Sequence, residues 1–285
     1  MTVTLVDVLN AAALSSLLFV VASGLTLMYG VMGVLNLAHG AMYLTGAYLA
    51  FLLSHGSLLS LGLALAAGAA LGAGGGAALH AALRPVRRYG HLTEAMVTLG
   101  VALLLDHVYT TWTGGAPLPT PPPTALAGSI TVGVHGYPVY RLLFPAVAVL
   151  IGAGLHLIVV RSRVGVLLRA TVADPDMAAA TRIPTSRVTM TAFAAGGALA
   201  VVGGVFGAPY LGPAPGVDTT MLVACLAVVV IGGTGSVPAT AAAALLVGGV
   251  QTIGAAAAPL AAPFALGLAM LAALILRRPT TVRAA

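Results

Sequence analysis

The chain contains no lysine; all 12 of its basic residues are arginine. A phosphate-cradling P-loop needs a lysine to reach the β- and γ-phosphates. An ordinary P-loop ATPase is therefore excluded, and any ATP that drives this chain must be bound by another subunit. Charge of either sign is scarce, at 6% of residues, against about 25% in soluble domains. Cysteine occurs once, at Cys225, so an intrachain disulfide is excluded. The seven histidines form no His-x-x-x-His or Cys/His cluster, which leaves no metal site to propose. No basic run interleaved with aromatics is present, so the net charge of +6 does not point to nucleic acid. A Gly-x-Ser-Gly motif for intramembrane proteolysis is missing as well.

What is present is apolar. Of 285 residues, 60% are hydrophobic, and the mean hydropathy is +1.07. A water-soluble globule of this size could not hide so much apolar surface. The composition predicts an all-α polytopic membrane protein, a single transmembrane domain over 1–285. A span needs about 20 apolar residues. Runs at 8–30, 34–54, 58–80, 92–112, 141–160, 190–211, 219–231 continuing past a break into 237–256, and 259–276 predict eight or nine crossings. The first run is too long for a signal-peptide core and is expected to stay as the first span.

The arginines set the orientation. Alternating spans put the loop at 81–91, the loop at 161–189 and the C-terminal tail on one face, with 11 arginines; only Arg141 falls opposite. The positive-inside rule makes that face cytoplasmic, with the C-terminus inside. The loop at 113–139 is then extracytoplasmic. Its Pro-rich half reads as an extended cap, and its second half as short strands around a turn at His135-Gly136.

Three segments carry possible chemistry. In "ADPDMAAATRIP", Asp174 is a good N-cap and Pro175 suits the first helical position. Asp176 and Arg182 complement the two ends of the helix dipole, and Pro184 stops the helix. A short helix is expected at 175–182. Such a helix is marginal in water and makes most sense docked in something; the bland reading is a plain connecting loop. In "IGGTGSVPATAAAALLVGG", Gly232, Gly233, Gly235, Ser236 and Pro238 predict a break between two apolar helices, with packing favoured over ligand contact. In "GVMGVLNLAHGAMYLTGAYLA", helical spacing puts Gly33, Asn36, Gly40 and Tyr43 on one face, with His39 beside them. A buried polar group without a partner costs a few kcal/mol. Two readings stand for Asn36 and His39: lining a pathway or gate, or bonding backbone carbonyls where the chain turns near the inner interface. Among the acids, Glu94 and Asp106 are those in or near a span after Asp7, with Glu94 expected to reach water from its helix's first turn. Asp106 is the one candidate for a proton carrier's carboxylate, and His107 beside it would not face it.

Four stretches together resemble a known family. They are "GLTLMYGVMGVLNLAHGAMYLTGAYLA", "RPVRRYGHLTEAMVTLGVALLL", "RATVADPDMAAATRIPTSRV" and "VVIGGTGSVPATAAAALLVGG", spread in order over residues 24 to 249. The chain resembles the integral-membrane permeases of branched-chain amino-acid ABC importers, the LivH type. It departs in having Arg182 where that family usually has Gly before Ile183, Ala239 where Gly is usual, and Gln251 where an acid is frequent. The resemblance implies a second permease subunit, identical or related, two separate ATPase subunits that bind the ATP, and an extracytoplasmic substrate-binding protein. It implies no cofactor in this chain itself. The helix at 175–182 becomes the coupling helix, with Asp174 and Pro175 fixing its start and Ala178, Ala179 and Ala180 offering a docking face. Similar permeases serve branched-chain and other amino acids, urea, amides or aromatic acids. An ATP-independent secondary transporter or channel is the alternative class.

Overall fold

The computed structural model describes residues 4–133, 135–233, 236–260 and 262–276. Helix α1 (Leu5–Met32) opens on a capping box: Thr4 and Asp7 each accept the other's backbone amide, which satisfies two otherwise orphaned donors. It is followed by α2 (His39–Leu53) and α3 (Leu58–Leu83), then a tight turn at Arg87–Tyr89 and α4 (His91–Thr113). A two-stranded hairpin, β1 (Ser129–Val132) and β2 (His135–Pro138), leads into α5 (Val139–Arg161). Two short helices come next, α6 (Arg163–Ala173) and α7 (Pro175–Ala180). The bundle is completed by α8 (Thr185–Leu211), α9 (Val217–Gly232), α10 (Val237–Ala257) and α11 (Ala262–Leu276).

Among the described residues, α1, α3, α4, α5, α8 and α10 are long and apolar enough to cross a membrane, while α2, α9 and most of α11 are shorter apolar helices. The chain is an all-α polytopic membrane protein. The runs read as spans at 34–54 and 219–231 yield helices of 15 and 16 residues, short of the roughly 20 that a full crossing takes. The second of these stops at the expected break. The first starts late, for a reason given below.

Helix α8 is the axis of the bundle, packed on α1, α2 and α3. Its glycines allow this. A methyl group on Gly196 would meet the backbone of Gly24, and one on Gly197 the backbone of Gly72. Membrane helices gain no hydrophobic drive from lipid, so close backbone approach is what holds them.

The two ends of the bundle differ. At one, Arg141 donates to Asn10 at 2.8 Å, the amide of Thr124 donates to Gly56 at 2.8 Å, and that of Leu118 to Pro213 at 3.0 Å. At the other, Met32, Arg87, Thr171, Pro175 and Thr185 surround one cavity. The arginine-bearing loops at 81–91 and 161–189 therefore meet at one end and Arg141 lies at the other, as alternating spans require. The tail arginines lie outside the described residues.

The hairpin turns earlier than expected. Val132 pairs with His135 and Thr131 with Gly136, so His135-Gly136 is strand rather than turn. Gly133, with φ 64°, supplies the left-handed conformation that the turn requires. The register places Tyr137 opposite Ile130 and buries the Tyr137 ring.

Candidate functional site

The stretch between α1 and α2 is not helical. Helix α1 stops at Met32, and Gly33 takes a left-handed cap conformation with φ 67°, its amide bonded to Tyr29. Gly33 and Asn36 therefore do not share a helix face with Gly40 and Tyr43, contrary to expectation. The helical spacing was real, but a left-handed glycine ended α1 in the middle of the pattern. Asn36, 1% exposed, holds the break together. Its Oδ1 accepts the amide of Ala38 at 3.1 Å, and its Nδ2 lies 3.1 Å from the sulfur of Met28. The amide of Leu37 is taken by Thr98 of α4 at 3.0 Å.

His39 opens α2 and is fully buried. Its Nε2 meets the carbonyl oxygen of Val21 at 2.9 Å. A carbonyl only accepts, so Nε2 carries the hydrogen. Nδ1 has no partner. Val21 lies 11 residues before the end of α1, about 16 Å along its axis. The imidazole thus reaches deep into the bundle rather than lying near the inner interface.

Gly40 shares the first turn of α2 with His39, and Tyr43 stands on the next. A methyl group on Gly40 would overlap the backbone oxygen of Asp218, so the first turns of α2 and α9 touch there. Tyr43 is fully buried, packs its backbone on Gly204, and leaves its hydroxyl without a partner. Asp218 is the residue that the sequence reading missed. It lies in the first turn of α9, 8% exposed, with Oδ1 unpartnered. The apolar run had been drawn from the residue after it. Its signal was available: an acid one step after Gly216-Val217, at the positive end of a helix.

The second break falls between α9 and α10. Gly232 packs on Ala239 and Ala243 of α10, and Gly233 is left-handed at φ 74°. Gly235 lies outside the described residues. Ser236 caps α10 through its hydroxyl, which accepts the amide of Ala239 at 3.3 Å, and Pro238 sits in the first turn, where it costs no hydrogen bond.

At the arginine-rich end, Asp174 accepts the amide of Met177 at 2.8 Å and Pro175 begins α7. The helix ends at Ala180, two residues sooner than expected. The amide of Arg182 bonds Ala179 and that of Ile183 bonds Ala178, both at 3.0 Å, a Schellman closure. It forces Arg182 to φ 64°, the only left-handed non-glycine among the described residues. Arg182 therefore lies past the helix end. Ala178 is buried within the chain, so it offers no face to another protein. The exposed residues are Asp174, Pro175, Asp176, Met177, Ala179 and Ala180.

Beside α7 is an ionic cluster. Glu94 is 3% exposed rather than open to water as expected, in a first turn of α4 that shares one cavity with Met32, Arg87 and the start of α8. Arg87 Nε lies 3.8 Å from Glu94 Oε1. The same guanidinium meets His80 Nδ1 at 3.1 Å and the sulfur of Met32 at 3.3 Å. Burial pulls the Arg87 pKa below its ordinary value, while Glu94 pushes it up. Asp106 is half-buried on α4 and takes no part in this cluster.

The described residues form a polytopic helical bundle, interrupted before α2 and between α9 and α10, with a capped helix displayed at its arginine-rich end. The family described as "Branched-chain amino acid transport system / permease component" matches residues 8–277, and the chain belongs to it. The high-affinity branched-chain amino acid transport system permease protein BraD of Pseudomonas aeruginosa is 28% identical over 264 residues, 87% of this chain and 85% of the relative. The corresponding permease proteins LivH of Salmonella typhimurium and of Escherichia coli are each 27% identical over 261 residues, 84% of this chain and 82% of theirs. No solved structure matches the chain.

Proposed function

We propose that this chain, acting as one permease domain over its length, is the membrane subunit of an ABC importer in a bacterial cytoplasmic membrane. It moves branched-chain or related amino acids inward. A second permease subunit, identical or related, completes the pathway. Two separate ATPase subunits bind the ATP, consistent with a chain that has no lysine, and an extracytoplasmic protein delivers the substrate. The positive-inside bias puts the arginine-rich end and the C-terminus in the cytoplasm.

One observation carries this reading. Helix α7 is too short to be stable alone, yet it is capped at both ends, holds Ala178 inward, and presents Asp176, Met177, Ala179 and Ala180 outward. It joins α8 through Ile183-Pro184. A small, rigid, exposed surface tied to the central helix suits a coupling helix seated in an ATPase. On the pathway side, Asn36 and His39 act as positioning residues that hold the start of α2, and Gly33, Gly40 and Tyr43 shape the same wall.

The test is ATP-dependent leucine uptake by the chain reconstituted with its partner subunits. Removing residues 174–184 should abolish uptake and substrate-stimulated ATP hydrolysis while leaving membrane insertion intact. Coupling that survives this deletion rejects α7 as the coupling element. Uptake that proceeds without ATP rejects the ABC importer in favour of a secondary carrier.

A further inference from the structure

The cavity at the arginine-rich end contains two charged groups that the protein does not fully use. It has a volume of about 320 Å³ and is bounded by Val31 and Met32, by Arg87 and Glu94, and by the hydroxyl-bearing Thr185 and Ser186 at the start of α8. The volume is at the lower end of the range for small-molecule sites, about 300–1,000 Å³. Glu94 is almost completely buried, and its Oε2 accepts no hydrogen bond. Arg87 Nε, also buried, donates none. The 3.8 Å between Nε and Oε1 is about 1 Å longer than a charge-assisted hydrogen bond. The nearest other basic nitrogen, His91 Nδ1, stands 4.0 Å from Oε2 on a largely exposed ring.

Such an arrangement is costly as pure structure. The buried Glu94 carboxylate pays a large desolvation penalty, recovered only when its lone pairs are satisfied; Arg87, with its side chain 34% exposed, pays less. Here one acceptor and one donor of opposite charge stay unpartnered in residues that line the same cavity. A group bearing both a cation and an anion a bond or two apart would satisfy both at once. Val31 and Met32 supply an apolar surface beside them.

We propose that this cavity is a release-side subsite for a zwitterionic α-amino acid. The ammonium donates to Glu94 Oε2, the carboxylate accepts from Arg87 Nε, and the aliphatic side chain rests on Val31 and Met32. The proposal rests on the amino-acid importer reading and names where that substrate stands before it leaves. The subsite abuts Pro175 and Thr185, so the first residue of α7 and the start of α8 form part of its wall.

The test uses the assembled transporter in lipid nanodiscs, without the extracytoplasmic binding protein. Binding of leucine is compared with that of its oxo acid, which lacks the ammonium, and of its decarboxylated amine, which lacks the carboxylate. The wild type should bind leucine about tenfold or more tightly than either analogue, the scale of one hydrogen bond to a charged group. Glu94→Gln should weaken leucine by a similar factor and leave the oxo acid unchanged. Arg87→Gln should weaken leucine and the oxo acid and leave the amine unchanged. Equal wild-type affinity for all three probes overturns the subsite, and this comparison does not depend on any variant folding. Leucine binding indifferent to both substitutions also overturns it, leaving a purely structural ion pair. If ATP-driven leucine uptake is normal in those cases, only the subsite fails; if the wild type takes up no leucine, the importer reading fails with it.

Discussion

The imidazole of His39 bonds the carbonyl oxygen of Val21 at 2.9 Å, tying the first residue of one helix to the interior of the helix before it. Between them the chain leaves helical geometry for residues 33–38. The bond explains how α2 can begin inside the bundle: an unwound segment at membrane depth is tolerated only where protein covers and satisfies it.

Replacing His39 with Ala removes this tie and leaves the Val21 carbonyl with only its helical partner. The expected loss is about 1 kcal/mol, in line with polar contacts between membrane helices, read as earlier thermal unfolding in detergent. Asn36→Ala should cost a comparable amount, because the amide of Ala38 loses its acceptor. At matched protein levels both variants should also transport more slowly. Normal uptake in both would reduce the pair to packing.

Gly40→Ala should be far more damaging than the size of a methyl group suggests. The new Cβ would overlap the backbone of Asp218, which cannot swing away as a side chain can. Overpacking of this kind costs about 1–3 kcal/mol or more. Gly74→Ala is the matched control, since nothing lies within 4 Å of a methyl group there. The two variants should part clearly in the yield of folded protein after solubilisation, the control matching the wild type.

Arg182→Gly should stabilise the end of α7. A left-handed conformation costs an ordinary L-residue about 1–2 kcal/mol, and Arg182 holds it at φ 64°. The two closing bonds, from the amides of Arg182 and Ile183, should then exchange hydrogen more slowly. Unchanged or faster exchange would show that the arginine side chain contributes more than its backbone costs.

Much of this was legible in the sequence. Apolar run lengths located the long helices, because a bilayer imposes one length on every crossing. Asp174-Pro175 marked the start of α7, since capping chemistry is local. The α9–α10 break followed from clustered glycines. What escaped depended on contacts distant in sequence. The start of α2 was misplaced because Gly33 and Asn36 fit a helical repeat, and only Thr98 on α4 and Met28 on α1 show where the backbone leaves it. Glu94 is buried rather than wet because Met32 of α1 and Thr185 and Thr189 of α8 line the cavity beside it. Asp218 escaped because the hydrophobic run was drawn from its far side.

The glycines of α8 have a mechanical consequence. Gly196 meets Gly24, and Gly197 meets Gly72, through backbone atoms rather than side chains of their own. Only Pro184 separates Ile183, whose amide helps close α7, from Thr185, where α8 begins. In the proposed importer, a push on the exposed face of α7 would therefore reach the centre of the bundle with little backlash. Its axle bears on its neighbours backbone to backbone, and it must carry α1 and α3 with it as it turns.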